Sequence, residues 1–166
     1  ILVNEASDGA GALMLHERAL VLAPDNVTSL AAVATLAEAA GNHARAIAAH
    51  QALADALTSP DDQRLAGLRA ADLIATHGGD SARSIAAYRS FIERFGADRE
   101  TVVKLATLEE TAGDWAGLLR TLAVLVDETA DVLERAEVRF RMGEVLRAKL
   151  NDSSEADSAS PRTPGM

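Results

Sequence analysis

Apolar side chains recur every three to four residues through most of this chain, and the recurrence is interrupted at regular places. Leu30, Val33, Ala34 and Ala37 keep helical spacing before Gly41, and Ala46, Ile47, His50 and Leu53 keep it afterwards. This predicts a helix, a tight turn and a second helix. Gly41 can adopt the left-handed conformation that closes the first helix, and Asn42 can cap the amides that open the second. The plan recurs with Leu68, Ala71, Asp72 and Ala75 before Gly79, then Ser84, Tyr88 and Phe91. It recurs again with Val102, Leu105, Ala106 and Glu109 before Gly113, then Leu118, Leu122 and Leu125. The three turn glycines lie 38 and then 34 residues apart.

Between the units, Pro24-Asp25-Asn26, Ser59-Pro60-Asp61-Asp62 and Gly96-Ala97-Asp98 supply cap residues and early acidic charge for each new helix. No proline falls inside a predicted helix, and no strand pattern interrupts the periodicity. The expectation is an all-α chain with seven helices between about Gly11 and Leu150. Counting back from Pro24, the turn of a preceding hairpin falls near Ser7 to Gly9, with residues 1–6 as the stump of its first helix.

These segments resemble the tetratricopeptide repeat family, whose helical hairpins stack into a right-handed superhelix. Ala19-Leu20-Val21-Leu22-Ala23-Pro24-Asp25-Asn26 is similar to that family's end of a second helix, and Met142-Gly143-Glu144-Val145-Leu146 is similar to the first helix of a further unit. The resemblance covers about Ala10 to Leu150 and implies an α-solenoid. Its parts are a partial hairpin over 1–24, repeats over about 27–60, 65–98 and 99–129, and a final helix over about 131–150. Asp72 stands where the family carries Gly, Ala or Ser, Leu118 stands where it carries Ala, and two of the unit spacings exceed its usual length. The tail, residues 151–166, is rich in Ser, Asp and Pro, and its composition predicts disorder.

Composition refines the picture. Of 166 residues, 35 are Ala and only 3% are aromatic, so the helices must approach closely through small side chains. The net charge of -9 disfavours nucleic acid and anionic membrane, both of which bind through clustered cations. A neutral or basic protein partner fits better. The chain has no Cys, so it can form neither a disulfide nor a thiolate metal site, which agrees with a cytoplasmic location without excluding the periplasm.

Candidate chemistry is sparse. His43 and His50 lie two turns apart on one predicted helix, but no third ligand accompanies them, and His16 and His50 share a repeat slot with Tyr88 and Leu122. That equivalence indicates packing. Trp115, the only Trp, follows a turn where it can wedge helices together. We therefore expect no catalytic residue, no cofactor and no metal.

What the resemblance implies is a scaffold or adaptor, or part of a larger assembly, whose first helices line a groove for a partner peptide or helix. The alternative is a recruiting domain of a larger enzyme or signalling protein. The Lys and Asn clamp used by some family members for a C-terminal carboxylate is absent, since the matching slots hold Thr28, Ala31, Ala66 and Arg69. If Leu30 with Val33 and Ala34, Leu68 with Ala71, Val102 with Leu105 and Ala106, and Met142 with Gly143 are buried stripes, the next positions face the groove. Among these, Leu73, Val103 and Phe140 are candidate apolar contacts, with Thr107 beside them and Arg69 and Arg147 as candidate hydrogen-bond donors.

Overall fold

The computed structural model describes residues 2–150, with side chains from 9 to 148. All regular structure among the described residues is helical. In chain order the helices are α1 (Leu2–Leu22), α2 (Val27–Ala39), α3 (His43–Ala56), α4 (Pro60–His77), α5 (Ser81–Phe95), α6 (Arg99–Ala112), α7 (Trp115–Glu128) and α8 (Val132–Val145). A π-helical turn, Leu146–Leu150, continues α8. The tail expected to be disordered, 151–166, lies outside the described residues.

Side-chain oxygens set the helix starts. Asn26 Oδ1 accepts the Ser29 amide at 2.9 Å, Asp98 Oδ1 accepts that of Thr101 at 3.0 Å, and Asp114 Oδ1 accepts that of Gly117 at 2.8 Å. Each satisfies an amide that the first helical turn leaves without a partner. Pro60 opens α4 directly after the Ser59 cap, where its missing N–H costs nothing. At the other ends, Gly41 and Gly113 adopt φ of 70° and 73°. There the chain reverses into the next helix, and the Asp114 amide reaches back to the Glu109 carbonyl at 2.9 Å.

Two features differ from expectation: eight α-helices are described where seven were expected, and the N-terminal hairpin is missing. No turn forms at Ser7 to Gly9, because α1 runs unbroken from Leu2 to Leu22. Neither Gly9 nor Gly11 takes a positive φ, and no proline lies within the segment. A helical glycine costs only about 1 kcal/mol relative to alanine, too little to stop the helix there.

The chain divides into two compact units, Ile1–Phe91 and Ile92–Met166. In the first, Val33, Ala34 and Ala49 pack with Leu13 and Leu20 of α1, and Ala37, Ala46, Ile47, Leu73 and Ile74 form a second cluster with Ala87. Ala37 and Ala46 have no exposed surface, so small side chains let α2 and α3 approach closely at that point. Tyr88 of α5 donates its hydroxyl to the Asp72 carboxylate of α4, which gives the unusual acid a partner. In the second unit, Val102, Ala106, Leu118, Leu122, Leu125 and Val145 form the core, with Val138, Met142 and Trp115 against it. Leu118 and Leu122 are fully buried, each contributing about 2 kcal/mol of apolar burial.

Candidate functional site

The six residues read from the sequence as partner contacts do not share one environment. Leu73 is only 5% exposed and belongs to the cluster with Ala37, Ala46, Ile47 and Ile74. It is a core residue and not a groove contact. The reason is that α4 packs against α3 on one side and α5 on another, so its apolar arc is wider than a single stripe. Gly143 departs the other way: expected in a buried stripe, it is exposed, with no atom within 4 Å of where a Cβ would lie.

Arg69 is exposed but engaged. Its Nε donates to both Glu38 oxygens at 3.2 and 3.1 Å, and its Nη2 makes a short contact with the same carboxylate. His50 Nε2 lies 2.6 Å from Glu38 Oε1. One carboxylate of α2 thus joins α3 and α4. The Arg69 guanidinium, through its hydrogen bonds, holds the Glu38 carboxyl down to about 2, with the His50 ring adding to the effect and partial burial opposing it. The same contact raises Arg69 further. Fork-shaped donors of this kind favour a bound carboxylate over a loosely hydrated one.

The histidines separate. His43 does not join His50; it stacks on His77 of α4 with ring centroids 3.4 Å apart and planes 2° apart. Imidazole lone pairs lie in the ring planes, and two parallel planes 3.4 Å apart do not meet at one ion. Among the described residues no group of three or more His, Cys, Asp or Glu could hold a metal. His50 and Tyr88, which share a repeat slot, each bond a carboxylate of the preceding helix, whereas Leu122 in that slot is packed without exposure.

The remaining four candidates lie in the second unit. Val103 on α6 is 41% exposed, Thr107 is exposed and donates its hydroxyl to the Val103 carbonyl at 3.0 Å, and Phe140 on α8 is 70% exposed. Arg147 reaches Glu144 only at 4.0 Å. Two ion pairs tie α6 to α8, Arg99 to Glu134 at 3.0 Å and Arg141 to Glu110 at 2.5 Å. Glu110 and Arg141 are 31 residues apart, the same separation as Glu38 and Arg69.

Sequence reasoning missed the apolar company of Phe140. Val132 and Leu133 are exposed at 74% and 76%, and Leu146 at 48%. Their signal was available, since α8 carries apolar residues on more of its circumference than one buried stripe needs. At the N-terminal end, α1 also exposes Met14, Leu15, Val21 and Leu22.

Among known proteins, no family model matches this chain, and no curated protein matches it. Its structure is similar to the crystal structure of MamA, at 14% sequence identity over 93% of this chain and 94% of that one, with a TM-score of 0.48.

Proposed function

We propose that this chain is a helical-repeat module that binds a protein partner, in the manner of a tetratricopeptide-like scaffold. The observation that carries the reading is the exposure of Phe140, at 70%, beside Leu133 and Val132 on α8. A large aromatic left in water, with aliphatic residues within two turns of it, is the usual mark of a docking surface. Val103 and Thr107 on α6, and Arg147 beyond Phe140, are further exposed candidates within the second unit. The net charge of -9 favours a neutral or basic partner.

Affinity capture tests the reading. The full chain and its Phe140→Asp variant are used as baits in a lysate of the source organism, and both are melted. The expected outcome is a protein retained by the native chain and lost from the variant, with unchanged melting. Equal retention by both baits, or nothing retained beyond a tag-only control, would refute it.

A further inference from the structure

We infer that the stacked rings of His43 and His77 form an acid-labile latch, which ties the start of α3 to the end of α4 while the rings are neutral and releases them when both are protonated. His43 is the first residue of α3, directly after the Asn42 cap, and His77 is the last of α4. With the centroids 3.4 Å apart and the planes 2° apart, the rings meet face to face with almost no offset. Among the described residues neither ring makes a hydrogen bond or an ion pair, so the stack is the directional contact they share.

The charge on the rings decides the sign of that contact. Two neutral imidazoles attract by dispersion, and an imidazolium over a neutral ring gains a cation–π attraction. Two imidazolium ions at this distance repel. Salt does not shield them, because the screening length of about 8 Å at physiological ionic strength exceeds their separation. The second charge also has poor surroundings. His43 Nδ1 is buried with no partner among the described residues, so a proton there meets neither water nor an acceptor. His43 also stands in the first turn of α3, where the positive end of the helix dipole opposes a cation.

The charged groups on the surrounding elements are engaged elsewhere. On α2, Glu38 is held by Arg69 and His50. On α3, Arg45 pairs with Glu17 of α1 at 2.9 Å. On α4, Asp72 accepts the Tyr88 hydroxyl. At the start of α5, Asp80 Oδ1 accepts the Ala82 amide at 2.9 Å, and Arg83 is exposed beyond it. No described carboxylate is therefore bound to either ring to offset a second proton.

The latch has an acid-resistant counterpart. His50 lies two turns along α3 from His43, and Arg69 lies just over two turns along α4 from His77, roughly 10 to 12 Å away. There Glu38 joins both helices, and its carboxyl, held down to about 2, stays ionised in mild acid. Mild acid thus frees one end of the α3 and α4 pair, with the turns that flank it, while the clasp two turns away holds. The first unit responds to pH by a local opening and not by unfolding.

A double-mutant cycle on the full chain tests the latch. His43→Ala, His77→Ala and the double variant are titrated with urea at pH 8 and pH 5, which bracket the ordinary histidine range at about 6.5. At pH 8 the two single losses should sum to more than the loss in the double variant, and at pH 5 that coupling should vanish or change sign. The remaining titratable groups are common to all four chains and cancel. In native-state hydrogen exchange, corrected for the intrinsic effect of pH, the Asn42 and Gly78 amides are the local reporters. They are bonded to the Ala37 and Ile74 carbonyls at 2.8 Å each. Their protection should fall about tenfold at pH 5, and should not fall in His77→Phe, which keeps a ring in the stack that cannot be charged. This arm uses only a substitution at an exposed position, so it decides the matter even where a His43 variant folds poorly. Equal coupling at both pH values, no coupling at pH 8, or an equal acid effect in His77→Phe overturns the inference. So does an equal loss of protection at the Leu118 amide of the second unit, which would mark a general loosening.

Discussion

Replacing Glu38 with Gln keeps the shape of the side chain and removes the charge that holds Arg69 and His50. The carboxyl lies at about 2 in the folded chain against 4.5 for a free glutamate. At about 1.4 kcal/mol for each tenfold change in proton affinity, that displacement corresponds to about 3 kcal/mol. Half of the Arg69 side chain faces water, which screens the pair, so a cost of about 1 to 2 kcal/mol is the reasonable expectation. For a chain of this size the melting temperature would fall by roughly 3 to 6 °C at neutral pH. The pH dependence is the sharper test. Because the folded carboxyl is depressed, its contribution is complete above 4.5 and disappears as the pH falls toward about 2. Urea titrations followed by far-UV circular dichroism between pH 7 and 2 should show the native chain and Glu38→Gln converging over that window. Stability curves that stay parallel down to pH 2, or coincide already at pH 6, would refute the reasoning.

Other outcomes follow from the same structure. Leu118→Ala, at a site with no exposure, should cost about 3 to 5 kcal/mol in chemical denaturation. Leu73→Asp should unfold the first unit or lower its melting sharply, while Phe140→Asp should change stability by no more than about 0.5 kcal/mol; circular dichroism melts of the two variants separate core from surface. Asp98→Ala removes acceptors for both the amide and the hydroxyl of Thr101 and should cost about 1 to 2 kcal/mol, read as a lower urea midpoint with an unchanged slope.

The local pattern was legible wherever spacing alone decides. Apolar periodicity located the helices, and Asn26, Asn42 and Asp98 proved to be caps because an oxygen three residues ahead of an amide needs no tertiary context. Leu73 was misplaced because a helix with neighbours on two sides buries a broader arc than one stripe, and the second neighbour of α4 is not visible from its own sequence. The turn at Ser7 to Gly9 was inferred from repeat length, but α1 has no proline to enforce it. Arg69 looked available because its acceptor, Glu38, lies on a different helix. The recurrence of a Glu and an Arg at an equal separation in Glu110 and Arg141 was the one signal that could have revealed the pairing.

That recurrence also explains why α8 shows the face it does. A helix packed on one neighbour by apolar contacts alone can roll, since dispersion is weakly directional and several rotations bury similar area. Val138, Met142 and Val145 fix one side of α8 against the core, but Arg99 with Glu134 and Glu110 with Arg141 fix a second side against α6. These pairs are half-exposed and add little to stability, so their effect is on orientation. Two bearings about a sixth of a turn apart leave a single rotation. In that rotation the polar Glu134 and Arg141 are spent on α6, and Phe140, next to Arg141 in sequence but some 100° further around the helix, must point away from both neighbours. The exposure of Phe140 is thus a consequence of the ion pairs' register along α8, which is why a surface that adds little to folding is still held in one place.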